Sequence, residues 1–591
     1  MGDAMHVQWL SEEAEEVPEN EEDMLYEDVE YIEEYVHFPD GPETDVSGSV
    51  AVQNEESTGH VIKIESIDHA FDMLQNSVWS IKPPERTGTM GRKVAHPRPA
   101  PVGLAKSAKS PAECLSLFLD ADVIAMITEY TNEQIKAEQP NYARERDANP
   151  TDEMEIMALL GVLYIAGTVR DGRENIERLF DTKMGTGLEA VYLTMTSLRY
   201  HFLIRSIRFD DPTAAQDEIE GDKLAPVRPI YERIVSNYQK YLRPGRFLML
   251  DEQAVQFKGK CEFRQILPSA PGRAGFRFHL LVDCETSYVS NLEICVPENQ
   301  NPYNLSYAPT DVAMRLTEPV QGRQKTVILG AGLTSIDLIE KLYASRTMAM
   351  GEVPKSYPDL PKALIANKGR PEHSTLAAYH DPATLVSYVT KRKEVMLLMS
   401  SFVDFDSEEQ AGEQDEGEQH LKLVELYNRT KTTIRTIQQM CAKHNVVRST
   451  RRWPVAVFFN LMNLSAINAW CIYCLNHPEE AKMSRRDFLV TMALELLRPQ
   501  ARRRLDSKTL PRLLRQRIGL FLGISREEYE TVPVVERQGG ESRGRCYLCG
   551  RARNKTTRIS CHSCGKYTCN AHCAQLCRTC YMDDCASEQQ E

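Results

Sequence analysis

The stretch Leu248-Met249-Leu250-Asp251-Glu252-Gln253 decides how the rest of the chain is interpreted. Its apolar start is typical of a buried strand that ends in a carboxylate. Residues 257–265 contain basic side chains and a glycine, a pattern typical of the turn and second strand of a hairpin. A strand that delivers one Asp to its exposed end is a common start for a metal-dependent phosphoryl-transfer site. Asp after an apolar strand is also an ordinary turn residue, so this stretch alone leaves both interpretations open.

Length and composition predict several domains and no membrane span. A chain of 591 residues forms about three to five domains. The apolar content of 42% suffices for globular packing, and no run approaches the roughly 18–20 apolar residues that cross a bilayer. The first residues are acidic and lack the basic start of a secretory signal. We therefore expect no membrane association.

Charge is distributed unevenly along the chain. The net charge of −15 is the sum of −19 in residues 1–62, which contain no Lys or Arg, and +4 in the remainder. Residues 1–110 are first acidic and then rich in Pro and Lys, which predicts disorder because little apolar surface can be buried. A mildly basic body with an acidic tail is compatible with nucleic-acid binding. The aromatic residues between Leu25 and Phe38 indicate either a segment that folds on a chromatin or transcription partner or a solubilising tail.

Nine of the sixteen cysteines lie between Cys546 and Cys585, which favours zinc in a reducing compartment over disulfides. Four pairs of ligands give eight, enough for two tetrahedral zinc ions. Such a short module buries little core, so the metal must supply most of its folding free energy. The eight are Cys546, Cys549, Cys561, Cys564, Cys569, His572, Cys577 and Cys580.

Further motifs occur in a fixed order along the chain. They are Pro111-Ala112-Glu113-Cys114 with Phe118 and Thr131-Asn132, Phe209-Asp210-Asp211, Asp222-Lys223-Leu224-Ala225-Pro226-Val227-Arg228, Tyr427-Asn428-Arg429-Thr430-Lys431 and Arg452-Trp453-Pro454. Together with the Asp251 stretch and the cysteine module, their order and distances resemble the piggyBac transposase family over roughly residues 110–580. The resemblance implies a multidomain α+β protein. Its parts would be an RNase H-like core with an insertion domain, an all-α dimerisation and DNA-binding domain, and a C-terminal cross-brace zinc domain.

We assign the domains by combining this resemblance with composition and periodicity. The predicted parts are a disordered region (1–110), a helical dimerisation and DNA-binding domain in two pieces (111–245 and 446–530), an RNase H-like domain in two pieces (246–350 and 421–445), an irregular insertion domain with an acidic loop (351–420), a linker (531–545) and a zinc domain (546–585). Periodicity predicts helices over 153–166, 192–207, 230–241 and 335–344, and strands over 276–282, 288–296 and 326–330. Ser110 before Pro111 and Glu113 predicts the start of a further helix, with Ser as its cap.

The resemblance implies that three Asp residues of the family hold the catalytic metal ions, because two Mg²⁺ ions repel each other unless anionic oxygens surround them. The first position matches Asp251, the second falls at Gly330 and the third at Arg435; a further family Asp falls at Gln438. We therefore expect no bound Mg²⁺ and no transposase activity. Arg435 is expected to form an ion pair with Asp251. The other nearby carboxylates, Glu252, Asp283 and Asp337, are not expected to replace the missing ligands.

In the zinc module, the resemblance implies that the pairs alternate: Cys546, Cys549, Cys569 and His572 hold one ion, and Cys561, Cys564, Cys577 and Cys580 hold the other. A ubiquitin-ligase or histone-reader module is the alternative for two zinc ions in a small fold. The Arg-rich segment 479–530 favours phosphate contacts, although such a segment can also be a solvated face. The predicted DNA contacts are Arg502, Arg503, Arg504, Arg512, Arg515, Arg545 and Arg558.

The sequence thus predicts a domesticated, piggyBac-derived nuclear protein that binds double-stranded DNA as a homodimer and lacks strand transfer. One alternative is an active transposase or nuclease with a rearranged metal site. Another is a chromatin adaptor that binds proteins through its zinc domain and acidic tail.

Overall fold

The structure is a computed structural model. It describes residues 79–80, 98–144, 148–169, 175–182, 187–211, 222–267, 274–296, 305–358, 360–402, 416–478, 483–507, 510–530, 544–549, 555–560 and 566–573. Of the region predicted to be disordered (1–110), residues 1–78 and 81–97 lie outside these residues, and so do residues 531–543 of the predicted linker (531–545). The prediction of disorder is wrong for residues 98–110, where Ala100–Pro101 pairs with Leu242–Arg243 and a 3-10 turn follows at Gly103–Lys106. The last two residues of the predicted linker, Gly544–Arg545, form a short strand.

The described chain contains both helices and strands. The strands are β1 (Ala100–Pro101), β2 (Leu242–Arg243), β3 (Phe247–Gln256), β4 (Gln265–Ile266), β5 (Ala274–Asp283), β6 (Val289–Ile294), β7 (Thr326–Leu329), β8 (Met348–Glu352), β9 (Thr375–His380), β10 (Ala383–Val389), β11 (Val395–Ser400), β12 (Gly544–Arg545) and β13 (Thr556–Thr557). The helices are α1 (Pro111–Ser116), α2 (Ala121–Glu138), α3 (Glu153–Thr168), α4 (Ile176–Leu179), α5 (Glu189–Thr194), α6 (Ser197–Ser206), α7 (Arg228–Tyr241), α8 (Pro309–Thr317), α9 (Ile336–Ala344), α10 (Lys362–Ile365), α11 (Glu416–Thr430), α12 (Thr433–Lys443), α13 (Trp453–Asn476), α14 (Arg485–Leu505), α15 (Arg512–Leu522) and α16 (Arg526–Glu530).

A nine-stranded sheet carries the Asp251 stretch. Its order is β4-β5-β3-β7-β8-β11-β10-β9, and β6 pairs with β5 beside β4. Strand β3 is antiparallel to β5 and parallel to β7, and β8 is parallel to β7. The four residues of β7 are all buried, as expected for a parallel strand covered on both faces. The strands predicted over 276–282, 288–296 and 326–330 are confirmed within one or two residues at each end, as β5, β6 and β7.

The prediction of irregular structure over 351–420 is wrong for its central part. Strands β9, β10 and β11 form an antiparallel meander, and β11 joins the sheet by pairing with β8. Prolines dominate the composition of this region, but they lie between the strands, whereas Val395–Ser400 is buried throughout. The acidic run 403–415 lies outside the described residues.

The helix predictions hold with one exception. The predicted start at Ser110 is confirmed as a capping box, in which the Ser110 side chain accepts from the backbone of Glu113 and Glu113 accepts from the backbone of Ser110. The helix predicted over 192–207 is instead two helices, α5 and α6, because Met195 adopts an extended conformation between them. Asp120 and Asp152 cap α2 and α3 in the same way that Ser110 caps α1.

Helix α13 is the core helix of the larger compact unit, which comprises residues 1–156, 163–174 and 204–493. The expectation that no run approaches the length of a membrane span is wrong for this helix, which is long and apolar enough by length and composition. Its apolar stretch is fully buried inside the protein. Its polar residues are bonded within this core: Asn468 bonds the backbone of Val289 in β6, and Asn460 bonds Gln253 in β3. Burial of an apolar helix by surrounding elements is typical of a core position.

The second compact unit comprises residues 157–162, 175–203 and 494–591. Its apolar cluster joins Leu193 of α5 with Ala501 and Leu505 of α14 and Ile518 of α15. Helix α15 ends at Gly523, which adopts a left-handed conformation with φ of 70°. Glycine is favoured there because it lacks the Cβ that clashes in this region.

Candidate metal sites and nucleic-acid interface

Asp251 and Gly330 are immediate neighbours on adjacent strands. The parallel pairing of β3 and β7 ends at Leu250 and Leu329, one residue before each of them. The backbone N–H of Gly330 donates to the carbonyl of Leu250 at 2.9 Å. A Cβ placed on Gly330 would lie 2.1 Å from Oδ1 of Asp251. The carboxylate of Asp251 therefore occupies the space into which a side chain at position 330 would extend.

The environment of Asp251 disfavours its charged form. Burial and the neighbouring charge of Glu252 raise the pKa of Asp251, while a hydrogen bond from the backbone of Glu252 (2.8 Å) and the charge of His279 lower it and offset part of this effect.

The expected ion pair between Asp251 and Arg435 is wrong. Within the described chain, the hydrogen bonds and ion pairs of Asp251 do not include Arg435, and no arginine contributes to its pKa shift. Helix α12 packs against β3 through its buried residues, which include Ile434, Ile437 and Cys441. Arg435 follows Ile434 directly and is exposed, because adjacent helical residues point about 100° apart.

The three carboxylates that the sequence weighed as replacements are engaged elsewhere. Asp337 forms an exposed i,i+4 ion pair with Lys341. Glu252 is paired with Arg277 and His279. Asp283 is buried at a turn and accepts hydrogen bonds from Gly245, Glu285 and Thr286. None of these contacts is with Asp251.

Sequence reasoning missed Glu352, the last residue of β8. Its carboxylate accepts a hydrogen bond from the Tyr427 hydroxyl at 3.2 Å. Burial, then the charges of Glu352 and Asp251, raise the pKa of Tyr427, so both carboxylates lie near this hydroxyl. The signal was available, because Met348–Glu352 repeats the pattern of an apolar run that ends in a carboxylate. We call Asp251 and Glu352 the acidic pair, because the charges of both act on the Tyr427 hydroxyl.

The C-terminal cluster of Cys546, Cys549, Cys569 and His572 brings four potential metal ligands together. Their ligand atoms all lie within 4.8 Å of one another. Among the residues that the structure describes, this is the one group of three or more Cys, His, Asp or Glu side chains with such an arrangement. It matches the first of the two predicted ligand sets.

The distances in this cluster fit a four-coordinate ion. A tetrahedral ion with metal–sulfur bonds of about 2.3 Å and metal–nitrogen bonds of about 2.0 Å separates two sulfurs by about 3.8 Å and sulfur from nitrogen by about 3.5 Å. The Sγ atoms of Cys549 and Cys569 are 3.7 Å apart. Nδ1 of His572 is 3.5 Å from the Sγ atoms of Cys546, Cys549 and Cys569. The four side chains thus stand at the corners of a tetrahedron of the right size.

Backbone structure holds these ligands in place. The short hairpin β12–β13 precedes and follows the first pair, and the backbone N–H of Cys546 donates to the carbonyl of Lys555 at 2.9 Å. The second pair lies on a 3-10 turn, Asn570–His572. The remaining predicted ligands, Cys561, Cys564, Cys577 and Cys580, lie outside the described residues.

The predicted DNA-contacting arginines divide into two groups. Arg502, Arg512, Arg545 and Arg558 are exposed and Arg503 is partly exposed, so their guanidinium groups can reach a phosphate. Arg515 is 2% exposed and donates to the carbonyls of Leu505 and Ser507, which end helix α14.

Arg504 likewise donates to the carbonyls of Tyr192 and Leu193 at the end of α5, and burial lowers its pKa. Arg504 and Arg515 thus satisfy the last carbonyls of helices, which favours a structural role for these two arginines over the predicted DNA contacts.

Comparison with known proteins identifies the relatives of this chain. A family model described as Transposase IS4 matches residues 110–470. The human PiggyBac transposable element-derived protein 3 is 24% identical over 257 residues, which are 42% of this chain and 41% of that protein. The human Chimeric ERCC6-PGBD3 protein is also 24% identical over 257 residues, which are 23% of its length. The alignment therefore spans less than half of these curated relatives.

A solved structure gives broader coverage. The cryo-EM structure of a piggyBac transposase synaptic complex with hairpin DNA superposes with a TM-score of 0.69 at 26% identity. It covers 82% of this chain and 100% of the matched chain. The shared fold, the collinear motifs and the family match together lead to one conclusion: this chain belongs to the piggyBac-type transposase family.

Proposed function

We propose that this protein is a domesticated piggyBac-derived nuclear protein that binds double-stranded DNA and has lost strand transfer. The observation that carries the loss of chemistry is the contact between Asp251 and Gly330. The second position of the catalytic set lies beside the first, but it has no side chain. The third position, Arg435, carries a permanent positive charge on an exposed helix face.

The topology of the sheet supports an RNase H-like core. The five strands β6, β5, β3, β7 and β8 lie side by side in that order, the first three antiparallel and the last two parallel to β3. Helix α8 precedes β7 and α9 connects β7 to β8. This is the strand order of RNase H-like domains. It places position 251 on the central strand and position 330 at the end of its parallel neighbour.

Electrostatics explains why this scaffold would not hold two Mg²⁺ ions. A Mg²⁺ ion is usually held by one or two carboxylates, its waters and substrate oxygens, and a second ion a few ångströms away needs further anionic ligands. The pocket retains Asp251, whose burial already favours the protonated form. Glu352, the other carboxylate nearby, is hydrogen-bonded to Tyr427. The acidic pair alone does not provide the anionic set that a two-metal reaction requires.

DNA binding is supported by two features. The solved relative is a complex with hairpin DNA, and this chain keeps exposed arginines on α14, α15 and the C-terminal hairpin. Each guanidinium that contacts a phosphate releases counterions, so affinity would depend strongly on salt. We further propose that two structural zinc ions hold the C-terminal domain. The tetrahedral cluster would bind the first of them, and the protein would act as a homodimer.

A test of strand transfer uses the purified full-length protein, a donor plasmid with piggyBac-type ends, and Mg²⁺ or Mn²⁺. We expect neither nicking nor excision above the level of an Asp251→Asn control. Metal-dependent cleavage that Asp251→Asn abolishes would establish the alternative, an active nuclease with a rearranged site.

A test of DNA binding measures affinity for duplex DNA at several salt concentrations. The double variant Arg502→Ala/Arg512→Ala should bind about tenfold more weakly near physiological salt, and the slope of log K against log salt should fall by about 2. The control is Arg392→Ala, which removes an exposed charge outside the predicted interface. Equal binding by the wild type and the double variant would contradict these contacts. Absence of any salt-dependent binding would favour the chromatin adaptor.

A further inference from the structure

A second cluster of reactive groups lies on the other face of the central sheet. Glu252 in β3 is directly opposite His279 in β5. Cys295 follows β6, and its backbone N–H donates to the carbonyl of Arg277 in β5 at 2.9 Å. Because successive strand residues point to opposite faces, Glu252 and its partners lie on the face opposite Asp251. The proposed loss of strand transfer neither uses nor explains this cluster.

The side chains of the cluster form a continuous chain of contacts. Sγ of Cys295 is 3.1 Å from Nδ1 of His279. Nε2 of the same imidazole is 3.4 Å from Oε1 of Glu252. Nε of Arg277 then donates to Oε2 of Glu252 at 3.0 Å. A nucleophile, a base and a carboxylate that orients the base are the arrangement by which proteins activate a thiol.

The surroundings favour a charged imidazole. His279 is 7% exposed, and burial alone would lower its pKa. The hydrogen bonds and charges of Cys295 and Glu252 outweigh this effect and raise the pKa of His279 to about 10. Across β5, Glu293 is opposite His279 and forms an ion pair with Arg315 at 2.6 Å. The ring of Tyr307 lies 5.7 Å from the Arg315 guanidinium.

Other cysteines of the body have a different environment. Burial raises the pKa of Cys261, Cys284 and Cys474 to about 12. Burial likewise raises the pKa of Cys441 to about 11. These thiols stay protonated at neutral pH, and a protonated thiol is a poor nucleophile. Cys295 is half-buried, so a small electrophile can reach it.

We propose that Cys295 is an activated thiol and the site of reversible oxidation by peroxide, with His279 as its proton partner and Glu252 as the positioning carboxylate. The thiolate sulfur attacks one oxygen of hydrogen peroxide and the O–O bond breaks. Sulfur is oxidised to sulfenic acid, peroxide is reduced, and the departing hydroxide takes the proton of the imidazolium to form water. Reduction by an added thiol restores the starting state.

The first measurement compares Cys295 in the folded and the urea-unfolded full-length protein at pH 7, using limiting iodoacetamide and peptide mass spectrometry. The imidazole of His279, 3.1 Å from the sulfur, can accept the thiol proton as the sulfur attacks, and a positioned base of this kind raises rates by roughly 100-fold or more in favourable cases. We expect Cys295 to react about tenfold faster in the folded protein. Cys284 lies in the same tryptic peptide, Phe278–Arg315, and should react more slowly when folded.

Two variants assign the roles. His279→Asn should lower the folded rate of Cys295 about tenfold, and Glu252→Gln should lower it less. The control is His380→Asn, because His380 also contacts a glutamate, Glu340, at 3.3 Å and should leave Cys295 unchanged. Dilute peroxide with a sulfenic-acid trap should label Cys295 in the wild type and not in His279→Asn.

The proposal is overturned if folded Cys295 reacts no faster than unfolded Cys295. That comparison requires no variant, so it stands even if a substitution prevents folding. It also does not depend on DNA binding or strand transfer. If Cys295 reacts at an unchanged rate in a folded His279→Asn protein, His279 is not its proton partner and the proposal is likewise overturned.

Discussion

The fold brings potential metal-ligand positions together both in the Asp251 pocket and in the C-terminal cysteine cluster. The two places differ in how many of these positions carry a ligand side chain. In the cluster, four ligand atoms converge within 4.8 Å. In the pocket, Asp251 faces a glycine, and the third position lies on an exposed helix face. The sheet that frames the pocket is nevertheless complete. Apolar packing preserves a scaffold without its ligands, whereas a small module with little core depends on them.

The largest effect should come from removing one ligand of the cluster. Cys569→Ser should reduce bound metal by one equivalent, because apparent binding free energies of structural zinc are on the order of 10 kcal/mol and require the full ligand set. Metal analysis together with limited proteolysis of the C-terminal region measures this loss. Cys573→Ser is the matched control, since Cys573 is outside the ligand set. Equal metal content in the wild type and Cys569→Ser would disprove the site.

An intermediate effect should follow from rebuilding the pocket. In Gly330→Asp the new side chain at 330 forces the flexible carboxylate of Asp251 to rotate, since the added Cβ would be 2.1 Å away. The rebuilt pocket should bind Mg²⁺ weakly. At about ten times its Kd, the ion would stabilise the fold by about 1.4 kcal/mol. The stabilisation is measured as the difference between the melting temperature in Mg²⁺ and that in KCl of equal ionic strength. A wild-type protein with the same Mg²⁺ shift would show that its pocket already binds metal.

The smallest effect should come from neutralising Asp251. Because burial raises its pKa, the folded state holds this proton more tightly than the unfolded state, so the stability that it contributes is present at low pH and is lost as pH rises through the folded pKa. Asp251→Asn should therefore stabilise the protein by about 1 kcal/mol at pH 7. The gain should vanish below about pH 3.9, where an unfolded Asp is itself protonated. Urea unfolding at both pH values measures the difference.

Asp283→Asn provides the contrast to this prediction. Asp283 is fully buried on the neighbouring strand, and its Oδ2 accepts from the backbone N–H of Gly245 at 2.6 Å. Its Oδ1 accepts from Thr286 and Glu285. Burial raises the pKa of Asp283 as well, but an amide nitrogen in place of either oxygen cannot accept the bonds that this oxygen receives, so the variant should lose about 1–3 kcal/mol. We expect Asp283 to stabilise the fold through its hydrogen bonds and Asp251 to destabilise it at pH 7. A stabilising Asp283→Asn or a destabilising Asp251→Asn at pH 7 would contradict this expectation.

The sequence predicted most elements whose pattern is local. The capping box at Ser110 and the strands around Asp251 follow from periodicity and side-chain chemistry within a few residues. The meander β9–β11 was missed because the many prolines of residues 351–420 predict irregular structure, although they lie between the strands. The break at Met195 was missed because apolar residues continue at helical spacing through it.

Within the candidate sites, the adjacency of positions 251 and 330 followed from an alignment of motifs, and the structure places them side by side. The same alignment predicted an ion pair between Asp251 and Arg435, which the described part of the structure does not contain. The position of an arginine in the sequence does not tell which way its side chain points. Because Ile434 and Ile437 are buried residues of helix α12, Arg435 is on its exposed face. For the same reason Arg515, which the sequence assigned to DNA, is buried against the end of α14.

Residue identity and spacing are sufficient to predict which ligand types are present: Asp251 at the first of the three positions that the family resemblance implies, and cysteine and histidine pairs at zinc spacing. Which charged groups come into contact depends on the folded structure, because strand register and helix rotation set the distances between residues that are far apart in the chain. The folded structure joins Tyr427 to Glu352 and Cys295 to His279, residues that lie 75 and 16 positions apart in the chain.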